Sequence, residues 1–287
     1  MSTFEPPISR EATTEVNGLR LHHIEWGPLD APVLVALHGL RSYAQTFAGV
    51  AGALGDRWRV IALDQRGRGE SDWDPQRRYE TMTYATDVAG WVAALGLRRF
   101  HLLGHSMGGA NAIVYAAQAP DKVASLVLED MGPGASAGSA GGARIRAELA
   151  RTPTSFATWD EAARFWRSIR PGVTEAAIAS RVRHSLHETS PGHIVWRHDQ
   201  EGIAAARLAI APTDLWPHLL AVRCPVLLLR GADSDFVTAE IATQMQARVP
   251  TLERCDIAGA GHYVHDDAPA AFHEALAAFL TRQQGAE

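Results

Sequence analysis

The stretch Gly104-His105-Ser106-Met107-Gly108 sets a serine between two closely spaced glycines. A serine hydroxyl becomes a nucleophile only when a base takes its proton, and that base works best when a carboxylate holds it. Two later stretches offer these groups. His262 follows Gly259-Ala260-Gly261, and Asp235 closes Gly231-Ala232-Asp233-Ser234-Asp235. Together the three could carry out acyl transfer: attack by Ser106, proton shuttling by His262 and orientation of the ring by an aspartate.

Such chemistry needs elements that bring the three together. An apolar run over residues 100–103 leads into Ser106, and a small-residue helix over 107–118 leads away. A serine on a tight strand-to-helix turn is a nucleophile elbow. Its backbone is strained, and its hydroxyl sits at the positive end of a helix. Gly104 and Gly108 are required because a Cβ at either would force the helix off the strand.

Asp235 follows an apolar run at 226–229, and His262 follows a last strand expected around 252–257. Further continuous apolar runs lie at 32–37, 59–63 and 125–128, as expected of parallel strands covered on both faces. Helical patterns separate them. One has Val88, Trp91, Val92 and Leu95 on its inner face and Thr83 as its cap; a closing one carries Phe272, Ala275, Leu276, Phe279 and Leu280. Asn17-Gly18 between alternating apolar residues predicts an N-terminal hairpin with a type I′ turn. The order is that of a doubly wound, mostly parallel α/β sheet, and such sheets build their sites at the carboxyl ends of strands.

The rhythm breaks after Asp130. Residues 131–142 are rich in Gly, Ala and Ser, and residues 143–216 carry helical signals without a clear buried strand. Thr158-Trp159-Asp160-Glu161 is a capping box for a helix that ends before Pro171-Gly172, and a second helix is expected over 175–188. The predicted organisation is a core of residues 1–131 and 217–287 with a helical cap inserted at 132–216. Trp159, Trp166, Trp196 and Trp216, four of the eight tryptophans, fall in that insertion. They are expected to form both its core and the wall of an apolar substrate pocket. The cap histidines His184, His187, His193 and His198 fit no zinc spacing and are expected at the surface.

These pieces together resemble the α/β-hydrolase fold, in its form with a helical cap. The matching stretches are His38-Gly39-Leu40, Asp64-Gln65-Arg66-Gly67-Arg68-Gly69-Glu70-Ser71, the Ser106 elbow with Gly109, Gly231 to Asp235, and Gly261-His262. Their nucleophile–acid–base order along the chain is that of the family. The resemblance implies catalysis by Ser106, Asp235 and His262. For the acid it favours Asp235, which stands before Phe236-Val237, over Asp233. Asp130 is a third candidate and is read as a loop residue that caps or tethers the connector. The oxyanion hole is expected from the backbone N–H groups of Met107, next to the nucleophile, and Leu40, with His38 bracing the Leu40 loop. His105 is assigned a structural role. The 64–71 loop lacks the Lys-Ser/Thr ending of a phosphate-binding loop and is expected to be held by internal salt bridges.

The implied activity is hydrolysis of a small-molecule ester or lactone without cofactor or metal. Cleavage of carbon–carbon bonds in diketones and peracid formation are alternatives on the same triad. Carbon–carbon hydrolases of this fold usually carry Trp after the catalytic histidine, where this chain has Tyr263. Dehalogenase and epoxide hydrolase chemistry would need an aspartate in place of Ser106. A small-ligand receptor of the same fold would be expected to show a broken triad or oxyanion loop, and neither is seen.

The bulk numbers agree. The chain has 287 residues, 46% of them hydrophobic, and a net charge of −5. No basic run suits nucleic acid. No apolar stretch of about 18 residues suggests a membrane span, and residues 1–14, with Pro6 and Pro7, do not read as a signal peptide. A cytoplasmic protein with Cys224 and Cys255 as free, buried thiols is expected. Oligomeric state is not indicated.

Overall fold

The computed structural model describes residues 8–170 and 172–284. Pro6, Pro7 and Pro171, named above, lie outside the described residues. The chain opens with β1 (Ser9–Val16) and β2 (Leu19–Trp26), an antiparallel hairpin. Its turn has Asn17 at φ 52° and Gly18 at φ 79°, as a type I′ turn requires. Next come β3 (Val33–Leu37), α1 (Ala48–Leu54), β4 (Arg59–Leu63), α2 (Thr81–Ala94), β5 (Phe100–His105), α3 (Met107–Gln118) and β6 (Val123–Glu129). Helix α2 starts two residues before the expected cap Thr83, after Glu80.

The segment between β6 and the next core strand holds α4 (Ala135–Gly138), α5 (Ala140–Arg151), β7 (Ser155–Phe156), α6 (Trp159–Ile169), α7 (Glu175–Ser185), β8 (Leu186–Ser190), β9 (His193–Trp196), α8 (Gln200–Ala209) and α9 (Trp216–Ala221). The core resumes with β10 (Val226–Gly231), α10 (Ala239–Arg248), β11 (Leu252–Ile257), α11 (Val264–Asp267) and α12 (Pro269–Gln284).

Eight strands form one sheet in the order β1-β2-β4-β3-β5-β6-β10-β11. From β4 to β11 every pairing is parallel; β1 and β2 are antiparallel to their neighbours. Successive strand residues point to opposite faces, so each apolar run feeds two cores. Val35, Leu37, Leu102, Leu126, Leu128 and Leu228 pack with Val88 and Trp91 of α2, Ile113 of α3 and Met245 of α10. Leu34, Ala36, Leu103, Val127, Leu227 and Leu229 pack on the other face with Val50 of α1 and Phe272, Leu276 and Phe279 of α12. The sheet is therefore covered on both sides, which is why its central strands read as apolar runs.

The inserted segment differs from the all-helical expectation. Strands β7, β9 and β8 form a small antiparallel sheet. Helix α7 stops at Ser185, and residues 186–190, expected as helix, are strand. Only Leu186 of β8 is fully buried, so this strand carried no apolar signal. The Pro191-Gly192 turn, with Gly192 at φ 76°, was the available cue. Phe156, Ala162, Trp166, Ile178, Leu186, Ile194 and Trp196 form an apolar cluster that belongs to this segment alone. His198 is buried rather than at the surface, against Trp196 and hydrogen-bonded to Gln200 at 2.8 Å. Cys224 and Cys255 are free and half-buried. Among the described residues no helix is long and apolar enough to cross a membrane.

Candidate active site

Ser106 sits between β5 and α3 with φ 51° and ψ −119°, a strained conformation for a residue with a Cβ. The glycines around it allow the turn. A Cβ on Gly104 would lie 2.5 Å from the Gly108 carbonyl oxygen, and one on Gly108 would collide with the Leu37 carbonyl. Strand β5 is central and wholly buried, so the sheet can enforce the strain.

The Ser106 hydroxyl donates to His262 Nε2 at 2.9 Å. His262 Nδ1 donates to Oδ2 of Asp130 at 2.8 Å. The acid facing the histidine is therefore Asp130, at the end of β6, and not Asp235. This corrects the expected assignment. Asp235 lies past β10 with its side chain 41% exposed and forms a two-pronged ion pair with Arg144, at 2.9 and 2.8 Å. Asp233 is exposed at the edge of the loop. The loop after β10 still serves the site through Ser234. Its hydroxyl donates to Asp130 Oδ2 at 2.6 Å and accepts from the Phe236 and Val237 amides.

Burial sets the protonation of this pair. It pushes the His262 imidazole well below its ordinary pKa, which leaves a neutral ring whose Nε2 can accept a proton. Burial also pushes the Asp130 carboxyl up; Ser234 and Arg230 work in the opposite direction. His105 lies beneath. Burial drives its pKa to about 3, and its Nε2–H donates to the His262 carbonyl at 3.1 Å. It therefore fixes the backbone of the base, in keeping with a structural role. Behind it, Glu129 accepts from the backbone and ring nitrogens of His265, at 2.9 and 2.6 Å. Burial opposes the charge on Glu129, but His265 holds its carboxyl below the usual range.

Leu40 and Met107 both border the cavity that contains Ser106 and His262. One cation ties the two together. Arg68 donates to the Leu40 carbonyl at 3.1 Å, to Met107 Sδ at 3.3 Å and to the Tyr84 hydroxyl. His38 is fully buried, with a pKa lowered by burial to about 4. Its Nε2 accepts from the Gln65 amide at 3.1 Å, while the Gln65 side chain donates to its carbonyl at 2.7 Å. The Leu40 loop is thus braced as expected. The salt bridges of the 64–71 loop reach outside it: Arg66 pairs with Asp74 at 2.7 Å and with Asp87 at 2.6 Å.

The family model for the alpha/beta hydrolase fold matches residues 32–189. The chain belongs to the α/β-hydrolase fold family. It is similar to the sn-1-specific diacylglycerol lipase ABHD11 of Mus musculus, at 31% identity over 95% of this chain and 90% of that one. It is also similar to the 2-(acetamidomethylene)succinate hydrolase of Mesorhizobium japonicum, at 30% identity over 87% and 88% of the two chains. Among solved structures, E-2-(acetamidomethylene)succinate hydrolase superposes with a TM-score of 0.86 at 27% identity, covering 96% of this chain and 100% of that chain. The chain is a hydrolase of this fold.

In this α/β-hydrolase the Ser106 cavity is small, about 60 Å³. Met131, Ile145, Leu149 and Phe236 make its wall apolar. None of the inserted tryptophans lines it. Trp166 and Trp196 fill the segment's own core, Trp159 is 41% exposed, and Trp216 packs at the edge of the main core beside Arg248. The expectation that they form the pocket wall is therefore corrected. Aliphatic residues of α5 take that place, because α5 and not α6 lies over the elbow. A larger cavity opens on the other flank of His262, bounded by Arg144, Arg170 and Asp233, but it does not reach Ser106.

Sequence reasoning missed Ser234 and the link that Arg68 makes between Leu40 and Met107. Ser234 was visible between the two aspartates that drew attention instead. Arg68 was expected in an internal salt bridge and instead reaches the Leu40 loop and Met107.

Proposed function

We propose that the chain hydrolyses small carboxylic esters or lactones through an acyl-enzyme on Ser106. The observation that carries this reading is the unbroken hydrogen-bond chain from Ser106 to His262 to Asp130. The Ser106 oxygen attacks the carbonyl carbon as its proton passes to His262 Nε2. Asp130 holds the ring in the tautomer that leaves Nε2 free and stabilises the imidazolium that forms. The backbone N–H groups of Leu40 and Met107 receive the oxyanion. His262 then gives its proton to the departing alkoxide oxygen. Water, deprotonated by the same nitrogen, attacks the acyl carbon and releases Ser106 and a carboxylic acid. Each proton in this cycle is carried by the chain's own residues.

The elbow geometry, the apolar wall and the similarity to a lipase support an ester-type substrate. The narrow cavity favours a short acyl group. Residues 132–216 act as a cap over a core of residues 1–131 and 217–287. The test is hydrolysis of short p-nitrophenyl esters by wild type and Ser106→Ala. Multiple turnover by wild type and its loss in the variant are expected. Equal rates in both would overturn the mechanism.

A further inference from the structure

The lining of the Ser106 cavity contains three arginines, Arg41, Arg146 and Arg207, and no aspartate or glutamate. Their partners differ. Arg41 is neutralised by Glu148 at 2.6 Å and also donates to Thr152 at 3.2 Å. Among the described residues Arg146, which is exposed, donates only to the backbone carbonyls of Arg207 and Leu208, at 3.1 and 3.4 Å. Arg207 makes no side-chain hydrogen bond or ion pair among the described residues, although it is half-buried. Two positive charges at this cavity therefore have no counter-charge among the described residues.

Arg146 is exposed, so water serves its charge, whereas Arg207 is half-buried. A charge partly withdrawn from water gains from a paired partner. Burial, with Arg68 and Arg146 nearby, pushes the Arg207 guanidinium below its usual pKa. It stays charged at neutral pH all the same, because arginine cannot be deprotonated there. The stem of an arginine can lie on apolar surface while its head reaches water. Here Arg207 borders the same cavity as the nucleophile. An anion entering with the substrate would complete its coordination.

We propose that the substrate carries, besides the scissile carbonyl, a carboxylate that Arg207 binds, with Arg146 beside it. This rests on the reading of Ser106 as the nucleophile of a hydrolase. A carboxylate fits better than a phosphate because it is planar, matches the guanidinium fork and suits a narrow cavity. Arg207 is then a specificity determinant, separate from the groups that act on the scissile bond. The substrate class is a half-ester or a related acyl derivative of a dicarboxylic acid, and hydrolysis releases the diacid.

The test compares p-nitrophenyl hemiglutarate with p-nitrophenyl valerate, which replaces the distal carboxylate by a methyl group. Wild type should favour the hemiglutarate by about tenfold or more in kcat/KM, since a charge-assisted pair is stronger than a neutral contact. The ratio should fall to about one in Arg207→Met, and Arg207→Gln should do the same with its polar head kept. Arg282→Met, which removes a surface arginine paired with Glu253, should keep the ratio. In a second measurement, millimolar glutarate should raise the melting temperature of Ser106→Ala and not that of the Ser106→Ala, Arg207→Met double variant.

A wild-type ratio of one or below, with Ser106→Ala inactive on both esters, would overturn the carboxylate inference and leave the hydrolase reading standing. No turnover of either ester, with Arg207-dependent stabilisation by glutarate, would overturn the reading of Ser106 as the nucleophile of an ester hydrolase and keep the carboxylate site. A ratio unchanged in both Arg207 variants would remove Arg207 from recognition.

Discussion

Replacing Asp130 by Asn should nearly abolish turnover, and replacing Asp235 by Asn should not. Asp130 Oδ2 lies 2.8 Å from His262 Nδ1 in a fully buried setting. In the proposed mechanism, attack by Ser106 forms an imidazolium beside this carboxylate. For charges roughly 4 Å apart at an effective dielectric of about 20, the attraction is roughly 4 kcal/mol. That is about three decades in rate. An asparagine can also stabilise the wrong ring tautomer, which brings the expected loss to about 10⁴-fold in kcat. In Asp130→Asn the Ser234 hydroxyl can still donate to the oxygen of the new amide, so the fold is expected to survive, as a thermal melt would check. The pair between Asp235 and Arg144 is about 40% exposed on each side. Pairs of that kind are worth about 0–1 kcal/mol, so Asp235→Asn should change kcat by less than about fivefold. The assay is steady-state hydrolysis of a p-nitrophenyl ester by both variants, with Ser106→Ala as the floor. If Asp235→Asn sinks to that floor while Asp130→Asn keeps more than a tenth of wild-type kcat, the geometric assignment of the acid is wrong.

Two other perturbations probe the charges around the site. Burial lowers the His262 pKa, so the neutral, proton-accepting ring persists as pH falls through the ordinary histidine value of 6.5. The acidic limb of kcat/KM should therefore lie below pH 6.5, and a limb above pH 7 in a pH–rate profile would contradict this. Arg66→Met should destabilise the fold by about 3 kcal/mol in urea unfolding, the lower end for a broken buried pair. The loss is tempered because Asp74 keeps Arg78 and Asp87 keeps Asn17; a loss below about 1 kcal/mol would show that those partners carry the network alone.

Much of the architecture was legible because its causes are local. Strands covered on both faces must be apolar throughout, and β3, β4, β5, β6 and β10 read that way. The elbow was legible because Gly104 and Gly108 stand where backbone approaches within van der Waals distance. The acid was not legible, and the reason is topological. Strands β6 and β10 are neighbours in the sheet, with Leu229 level with Glu129 and the Asp130 amide bonded to the Leu229 carbonyl at 2.9 Å. An aspartate at either strand end can face the same histidine, and either choice leaves the chain order serine, aspartate, histidine unchanged. Only the turn at Asp130, with φ 45°, aims its carboxyl at His262. The small sheet of the insert was hidden for a different reason: β8 is mostly exposed and lacks apolar alternation. Arg207 is one arginine on a helix, and its lack of a partner among the described residues is a fact of three dimensions.

The separate apolar cluster of residues 156–196 has an evolutionary consequence. Its members touch one another and not the two cores of the sheet. Substitutions in one packing unit should therefore combine additively with those in another, since sites without shared partners couple weakly. A lineage can recompose Phe156, Trp166 or Trp196 without disturbing the strand ends that hold Ser106, Asp130 and His262. Change can then accumulate in this part of the chain while Ser106, Asp130 and His262 keep their arrangement in the other.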